Sequence, residues 1–293
     1  MKVTRDPFPY LLLVPALLLV GLIAAWPMIE TFRLSFTNAS MRPGEEYVGF
    51  ANYIKFFDRD FWPVITRTLI WTALSVSLKL ALGLFGAVLL NAAVPGRAIF
   101  RVLVMPPWVV PVAVGCFMWA WMYNGQFGMI SGLGQRLGIF SGPFEFLAYK
   151  NAAFMATIVT DVWIGVPLVS LYLLAAMQTI PKDLYEAAWT DGASRWYRFR
   201  RITLPLLSPA LTTMALLSTI WTFNSFEIIW ILTEGGPRGQ TTTMIIDTYK
   251  TAISRFRYGE GAARAVMILV CLSVLAAIYI IALNRLTRKV RAK

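Results

Sequence analysis

Six long apolar segments constrain this chain more than any other feature of its sequence. At a rise of ~1.5 Å per residue, helices of their lengths can cross the ~30 Å hydrocarbon layer of a bilayer. Hydrophobic residues make up 58% of the 293 residues, and charged residues only 14%. The sequence therefore predicts an all-α integral membrane protein, whose spans cover about residues 11–29, 69–93, 102–122, 152–177, 206–232 and 265–283.

The distribution of charge predicts the orientation of these spans. A net charge of +12 would suggest a nucleic-acid partner in a soluble protein. Here the basic residues lie in alternate connections and in the tail NRLTRKVRAK, which is the positive-inside pattern. We therefore expect a multi-pass membrane protein with both termini in the cytoplasm and no nucleic-acid partner.

The composition also excludes several kinds of chemistry. The chain has no histidine, and its two cysteines, Cys116 and Cys271, lie inside apolar segments, where they are typical of small core residues. Histidine-based triads and histidine metal sites are thereby excluded. The sequence also has no G-x-x-x-x-G-K-[ST] loop, so we expect no catalytic residue, no metal site and no ATP hydrolysis by this chain.

The fourth and fifth spans are separated by a polar stretch, IPKDLYEAAWTDGASRWYRFRRITLPLLSP. Pro181 suits the beginning of a helix, and Gly192 can adopt the left-handed conformation that ends one. Ser194 can cap a second short helix, which Pro205 is expected to stop. The loop of residues 178–205 is therefore predicted to form a helix, a glycine turn and a second helix.

This stretch resembles the EAA loop of binding-protein-dependent ABC importer permeases. In that family the loop is a coupling helix that docks on a cytoplasmic ATPase; the glutamate anchors it and the glycine makes the turn. The resemblance therefore assigns ATPase coupling to Glu186, Ala187, Ala188, Asp191, Gly192, Ala193, Leu204 and Pro205.

Further segments are similar to the carbohydrate-uptake branch of this family, the maltose and glycerol-3-phosphate permeases. They are the aromatic segment 48–62, the fourth-span sequence DVWIGVP (161–167), TEGGP (233–237) and residues 241–249. The resemblance implies a single permease domain, 1–293, with the fold of a type I ABC importer. It also implies a second, related permease subunit, two ATPase subunits that bind ATP and Mg²⁺, an external solute-binding protein, and no cofactor in this chain.

Three residues lie near the middle of their predicted spans. Lys79 and Asp161 are ten and nine residues from the outer ends of theirs, or roughly 15 and 14 Å deep. Trp221 is eleven residues from the outer end of the fifth span, about 16 Å. Because an unpaired charge at this depth is costly, we predict that Lys79 and Asp161 face the same interior and interact.

A sugar-binding site needs aromatic faces for the C–H surfaces and polar groups for the hydroxyls. The fourth and fifth spans offer both, and in the family they supply the transport site. Helix packing is the competing explanation, since tryptophan and small polar residues also serve that purpose in membranes. The candidate substrate-binding residues are Asp161, Trp163, Gly165, Trp221, Thr222, Ser225 and Glu227.

Two functions from different classes remain open on the sequence. The first is the permease subunit of an ATP-driven importer for a sugar or related polyol. The second is an ion-coupled secondary transporter that uses Lys79, Asp161 and Glu227 as coupling charges. The EAA loop has no role in the second mechanism, and we find no inverted repeat of the kind such transporters contain.

Overall fold

The computed structural model describes residues 8–92 and 95–291, with side chains for 11–92 and 95–281. Over these residues the protein is all-helical, and a single isolated bridge, Thr37 to Tyr47, is the only β pairing. Five of the described helices are long and apolar enough to cross a membrane, or six if a sharply bent pair counts as one span. The predicted all-α membrane class is confirmed.

Long helices alternate with short helices and turns along the chain. The first are α1 (Phe8–Val20), α2 (Trp26–Leu34), α3 (Ala51–Arg59) and α4 (Phe61–Asn91), with a π-helical turn (Gly21–Ala25) between α1 and α2. There follow α5 (Arg97–Val104), α6 (Pro106–Val109), α7 (Val112–Tyr123), α8 (Met129–Arg136), a 3₁₀ turn (Phe146–Ala148) and α9 (Lys150–Gln178). The last are α10 (Lys182–Thr190), α11 (Arg195–Arg198), α12 (Leu204–Phe223), α13 (Glu227–Thr233), α14 (Met244–Tyr249) and α15 (Tyr258–Arg291), with π-helical turns at Phe199–Thr203 and Lys250–Ser254.

The chain divides into two compact units. The first runs from the N-terminus to Trp62 and includes Asp247–Val270, and the second contains Pro63–Ile246 with the chain from Cys271 onward. That the whole chain forms one permease domain remains a prediction.

The first unit is organised around α3, which lies within the aromatic segment 48–62. The Asn52 amide donates hydrogen bonds to the carbonyl oxygens of Ser35 (2.9 Å) and Thr37 (2.8 Å). Gly259, near the beginning of α15, packs against the same turn, where a β-carbon would overlap the carbonyl oxygen of Thr37. Hydrogen bonding by a buried amide and close backbone approach therefore fix this turn.

The core of the second unit lies between α4, α9 and α12. Ala87, Leu173 and Leu207 are buried members of one apolar cluster, with one residue from each helix. Two glycines bring α4 close to α9: a β-carbon at Gly83 would overlap Val169, and one at Gly86 would lie 2.6 Å from Oγ of Ser170. Small residues allow this approach of helix backbones, which is typical of helix pairs in membranes.

The third span is broken between α6 and α7. Val110 and Pro111 both have extended backbone, and the two halves meet at 91°. The residue before a proline is driven out of the helical region, and proline itself donates no hydrogen bond, so the break follows from the local sequence. The third span is therefore interrupted, and not merely kinked.

The fifth span is shorter than the predicted 206–232, and here the prediction of a continuous helix was wrong. α12 ends at Phe223, and α13 begins only at Glu227. The Asn224 side chain donates a 3.0 Å hydrogen bond to the carbonyl of Ile220, which competes with the helical backbone pattern. Trp221 therefore lies two residues from a helix end, and its depth estimated along a continuous helix does not hold.

Two other helix boundaries differ from the sequence predictions. α4 begins at Phe61 and α15 at Tyr258, before the predicted starts at 69 and 265, because the residues that flank each apolar segment continue the helix. Pro205 does not stop α11, because helical backbone continues from Arg195 through the π-helical turn into α12. Proline is tolerated within the first two residues of α12, where the hydrogen-bond register changes from π to α.

Candidate functional site

Lys79 and Asp161 form a buried ion pair between α4 and α9. Nζ of Lys79 lies 2.7 Å from Oδ2 of Asp161, and the two residues are 6% and 5% exposed. Lys79 also donates a 2.9 Å hydrogen bond to Oγ1 of Thr222 on α12. The predicted interaction is confirmed, and it joins three helices.

Gly165 provides the space for the lysine side chain. It lies one helical turn after Asp161, and a β-carbon there would be 2.7 Å from Cε of Lys79 and 2.8 Å from its Cδ. Any larger residue would displace the aliphatic part of Lys79. The sequence singled out Gly165 as a candidate substrate contact, and the structure adds a packing role for it.

The ion pair lies in the wall of a cavity of about 400 Å³. Its walls come from α4, α6, α7, α9, the end of α12 and the beginning of α13. Six of the seven candidate substrate-binding residues line it together, namely Asp161, Gly165, Trp221, Thr222, Ser225 and Glu227. A cavity of this size with a few polar groups is typical of small-molecule sites.

Trp163 does not line this cavity. Its ring packs edge to face on Trp119, with 5.8 Å between the ring centroids, and lies close to Gly115. Asp161 and Gly165 are four residues apart and share a helix face, whereas a residue two positions from Asp161 points away from that face. Helical periodicity within DVWIGVP would have separated Trp163 from the other candidates.

The cavity wall contains further polar and aromatic residues that sequence reasoning missed, among them Trp108 and Asn224. Trp108 lies on α6, immediately before the proline break, and is about half exposed. Asn224 lies in the interruption after α12. In both cases an interrupted helix brings the residue to the cavity. The prolines around Trp108 were the sequence feature from which its position could have been predicted.

The predicted coupling hairpin consists of α10, a turn and α11. Gly192 has φ of +75°, in the left-handed region, as the glycine pattern predicted. The Ser194 hydroxyl accepts a 3.2 Å hydrogen bond from the backbone N–H of Tyr197, which confirms the predicted cap. The hydroxyls of Tyr185 and Thr203 lie 2.9 Å apart and tie α10 to the π-helical turn before α12.

The outer face of this hairpin is exposed and partly apolar. Trp189 and Trp196 are 70% and 68% exposed, and Leu184 is also exposed. Glu186 and Asp191 are exposed carboxylates on α10 and at its end. Contiguous exposed apolar side chains bordered by charges are typical of a surface that contacts another protein or a membrane.

The described residues contain no group of three or more cysteine, aspartate or glutamate side chains arranged to hold a metal ion.

Comparison with known protein families identifies the chain. Residues 79–292 match the family model described as binding-protein-dependent transport system inner membrane component. The chain belongs to this family. The resemblance carried by the EAA-like residues 180–209 is therefore confirmed, and the matched region contains the ion pair, the cavity and the hairpin.

Individual members of the family match over most of the chain. A probable ABC transporter permease protein of Brucella suis is 36% identical, with 93% of this chain and 95% of that protein covered. The trehalose/maltose transport system permease protein MalF of Thermococcus litoralis is 37% identical, with 94% and 92% covered. The diacetylchitobiose uptake system permease protein DasB of Streptomyces coelicolor is 34% identical, with 93% and 85% covered.

A solved structure shares the fold of this family member. A chain of a bacterial ABC transporter involved in the import of the acidic polysaccharide alginate superposes with a TM-score of 0.85 over 97% of both chains. At 22% identity, this match supports the fold alone.

Proposed function

We propose that this chain is the permease subunit of an ATP-driven ABC importer for a sugar or related polyol. The observation that carries the proposal is the exposed hairpin of α10 and α11 in a member of the binding-protein-dependent family. In this role the hairpin transmits the closure of a partner ATPase to the spans on either side of it.

The hairpin has the properties that such a contact requires. It is short and connected to α9 and α12 at its two ends, so a displacement of α10 acts on both helices. Leu184 and Trp189 supply apolar area for docking, and Glu186 supplies a charge that can anchor it. The resemblance assigns the remaining coupling contacts to Ala187, Ala188, Asp191, Gly192, Ala193, Leu204 and Pro205.

The sugar class is supported by the cavity and by the relatives. Trp108 and Trp221 offer aromatic faces for C–H surfaces, while Asn224, Ser225 and Glu227 offer groups that hydrogen-bond to hydroxyls. Two of the relatives described above are named for trehalose/maltose transport and for diacetylchitobiose uptake. We therefore assign substrate binding to this cavity. Trp163 lies outside the cavity and is assigned a packing role next to its wall.

The proposal includes the other subunits of the transport complex. One permease lines one side of a pathway, so a second, related permease subunit supplies the other side. Two ATPase subunits bind ATP and Mg²⁺, and this chain binds no cofactor and catalyses no reaction. A solute-binding protein delivers substrate from outside the inner membrane, and both termini of the chain lie in the cytoplasm.

The alternative of ion-coupled secondary transport is not favoured. Lys79 and Asp161 neutralise each other at 2.7 Å, which leaves neither side chain free as a coupling charge in this conformation. Membership of a binding-protein-dependent family also points to ATP as the energy source.

Uptake by the reconstituted complex in proteoliposomes tests the proposal. With the binding protein present, ATP inside the vesicles is expected to drive uptake without a proton gradient, and a proton ionophore is expected to leave the rate unchanged. Uptake driven by the gradient alone would overturn the importer assignment.

Labelling of Ser194→Cys by an impermeant maleimide added to intact cells would separately overturn the cytoplasmic placement of the hairpin, with Glu45→Cys as the matched external site.

A further inference from the structure

Three charged side chains line the cavity among the described residues: Lys79, Asp161 and Glu227. The lysine is committed to its two partners, Asp161 at 2.7 Å and Thr222 at 2.9 Å. Both members of the pair are at least nine-tenths buried, so together they contribute a dipole to the wall instead of a net positive charge.

Glu227 is the remaining charge in the cavity wall. None of the ion pairs between described residues includes it. Its side chain is exposed in the cavity mouth and lies in the first turn of α13.

The other polar groups of the wall do not offset this charge. Asn224 is neutral and already donates one amide hydrogen to the carbonyl of Ile220, and Ser225 is neutral as well. The indoles of Trp108 and Trp221 present π faces, which attract cations and not anions. The side of the pathway that this chain supplies therefore carries a net negative charge, which is that of the Glu227 carboxylate.

We propose that Glu227 makes this cavity select uncharged and amino-bearing sugars against sugars that carry a carboxylate, phosphate or sulfonate. The inference rests on the proposed function and narrows its substrate class. A carboxylate accepts hydrogen bonds from sugar hydroxyls and attracts a protonated amine, whereas it repels an anion in a partly desolvated site. Glu227 is thus a specificity-determining residue, and the buried pair shapes the wall around it.

The test uses three probes that share one ring: glucose, glucosamine and glucuronate. The complete complex of both permeases and the ATPases is placed in nanodiscs without the binding protein, so that the selectivity of the binding protein does not contribute. Binding is measured by saturation-transfer NMR at mildly acidic pH, where the amine of glucosamine is protonated and the carboxylates are ionised.

For the wild type we expect stronger binding of glucose than of glucuronate, and binding of glucosamine at least equal to that of glucose. Glu227→Gln is expected to raise the ratio of glucuronate to glucose binding roughly fivefold and to lower the ratio of glucosamine to glucose. Both changes should shrink at high salt, because an exposed charge is screened. The matched control is Glu234→Gln, a carboxylate outside the cavity wall, which should leave both ratios unchanged.

Equal binding of glucose and glucuronate by the wild type would overturn the inference, as would ratios that Glu227→Gln leaves unaltered. In either case ATP-driven uptake of a sugar would still support the proposed function. Absence of saturation transfer between the wild-type complex and all three sugars would likewise overturn the charge selection, while ATP-driven uptake of a larger sugar would still support the proposed function.

Discussion

Two buried cationic residues in this protein have opposite surroundings. Arg264 on α15 is 3% exposed; its guanidinium lies 2.7 Å from Oδ2 of Asp247 and 3.1 Å from Oδ2 of Asp60, and it covers the ring of Phe56 at 4.6 Å. Lys79 on α4 has a single carboxylate partner and lies in the wall of a cavity. One cation is enclosed by several anions, and the other borders a space that a ligand can enter.

The difference shows that burial of a charge does not by itself identify a functional site. Arginine presents five donors in a fixed plane, so Arg264 can bind Asp247 and Asp60 and also donate to the carbonyl of Glu260. Those contacts hold together parts of the first compact unit that are distant in sequence. Lysine presents one compact charge, and the missing β-carbon of Gly165 leaves room for the aliphatic part of Lys79 beside the cavity. The cavity beside Lys79 is what distinguishes it from Arg264.

The largest expected effect on stability is that of Arg264→Met. Methionine keeps much of the apolar volume but leaves Asp247 buried without its partner, which we expect to cost about 3–5 kcal/mol of unfolding free energy. The thermal unfolding midpoint of the purified complex should fall accordingly. Arg255→Met is the matched control, because Arg255 is exposed. Equal losses in the two variants would show that the Arg264 cluster does not stabilise the unit.

Lys79→Met is expected to have the next largest effect, about 2 kcal/mol, because Asp161 would remain without its partner but close to a cavity that water can enter. The double variant Lys79→Met with Asp161→Asn should recover part of that loss. Thermal unfolding of the two single variants and the double variant measures this coupling. Additive losses would contradict a stabilising pair and leave Asp161 as a lone group facing the ligand.

The same double variant also bears on function. If the pair only shapes the wall, uptake by the double variant should be weaker than that of the wild type but should still depend on ATP. Proteoliposome uptake with ATP and the proton gradient varied independently gives the answer. Loss of all uphill transport, with downhill flux retained, would favour a coupling role for these charges.

Gly165→Ala should cost about 1–2 kcal/mol, since its β-carbon would meet the Lys79 side chain and force it from its present path. The control is Gly142→Ala, where nothing lies within 4 Å of the added carbon. Unfolding midpoints and uptake rates should fall for the first variant only. A neutral result at Gly165 would mean that Lys79 moves aside freely, which would weaken the contrast with the enclosed Arg264.

Substitutions in the hairpin should affect stability no more than Gly165→Ala does, but they should have large effects on coupling. Glu186→Ala removes an exposed carboxylate and is expected to leave the unfolding free energy within about 0.5 kcal/mol of wild type. Gly192→Val places a β-branched residue at φ of +75°, with a local cost of about 1–2 kcal/mol. Both variants should insert normally and lose substrate-stimulated ATP hydrolysis. Full stimulation in both would contradict the coupling role.

Much of the candidate site could be predicted where the sequence forces a choice. A charge in the middle of an apolar segment must find a partner, and counting residues from the ends of two spans was sufficient to match Lys79 with Asp161. The left-handed conformation of Gly192 could be predicted because this glycine lies in a polar stretch between two predicted helices. Trp163 was grouped wrongly with the cavity residues, because residue type was weighed without the direction in which a helix points its side chains.

The sequence by itself determined the helical membrane class, the family, the exposed hairpin and the pairing of the two buried charges. These features follow from segment length, charge placement and backbone restrictions, which act locally. Only the tertiary structure decided that α12 ends at Phe223 and that a break at Val110 turns Trp108 toward the cavity. It also decided that Gly165 accommodates Lys79 and that, among the described residues of the cavity wall, Glu227 keeps a charge outside any ion pair. These outcomes depend on contacts between atoms of helices that are distant in sequence, and the order of the residues alone does not specify those contacts.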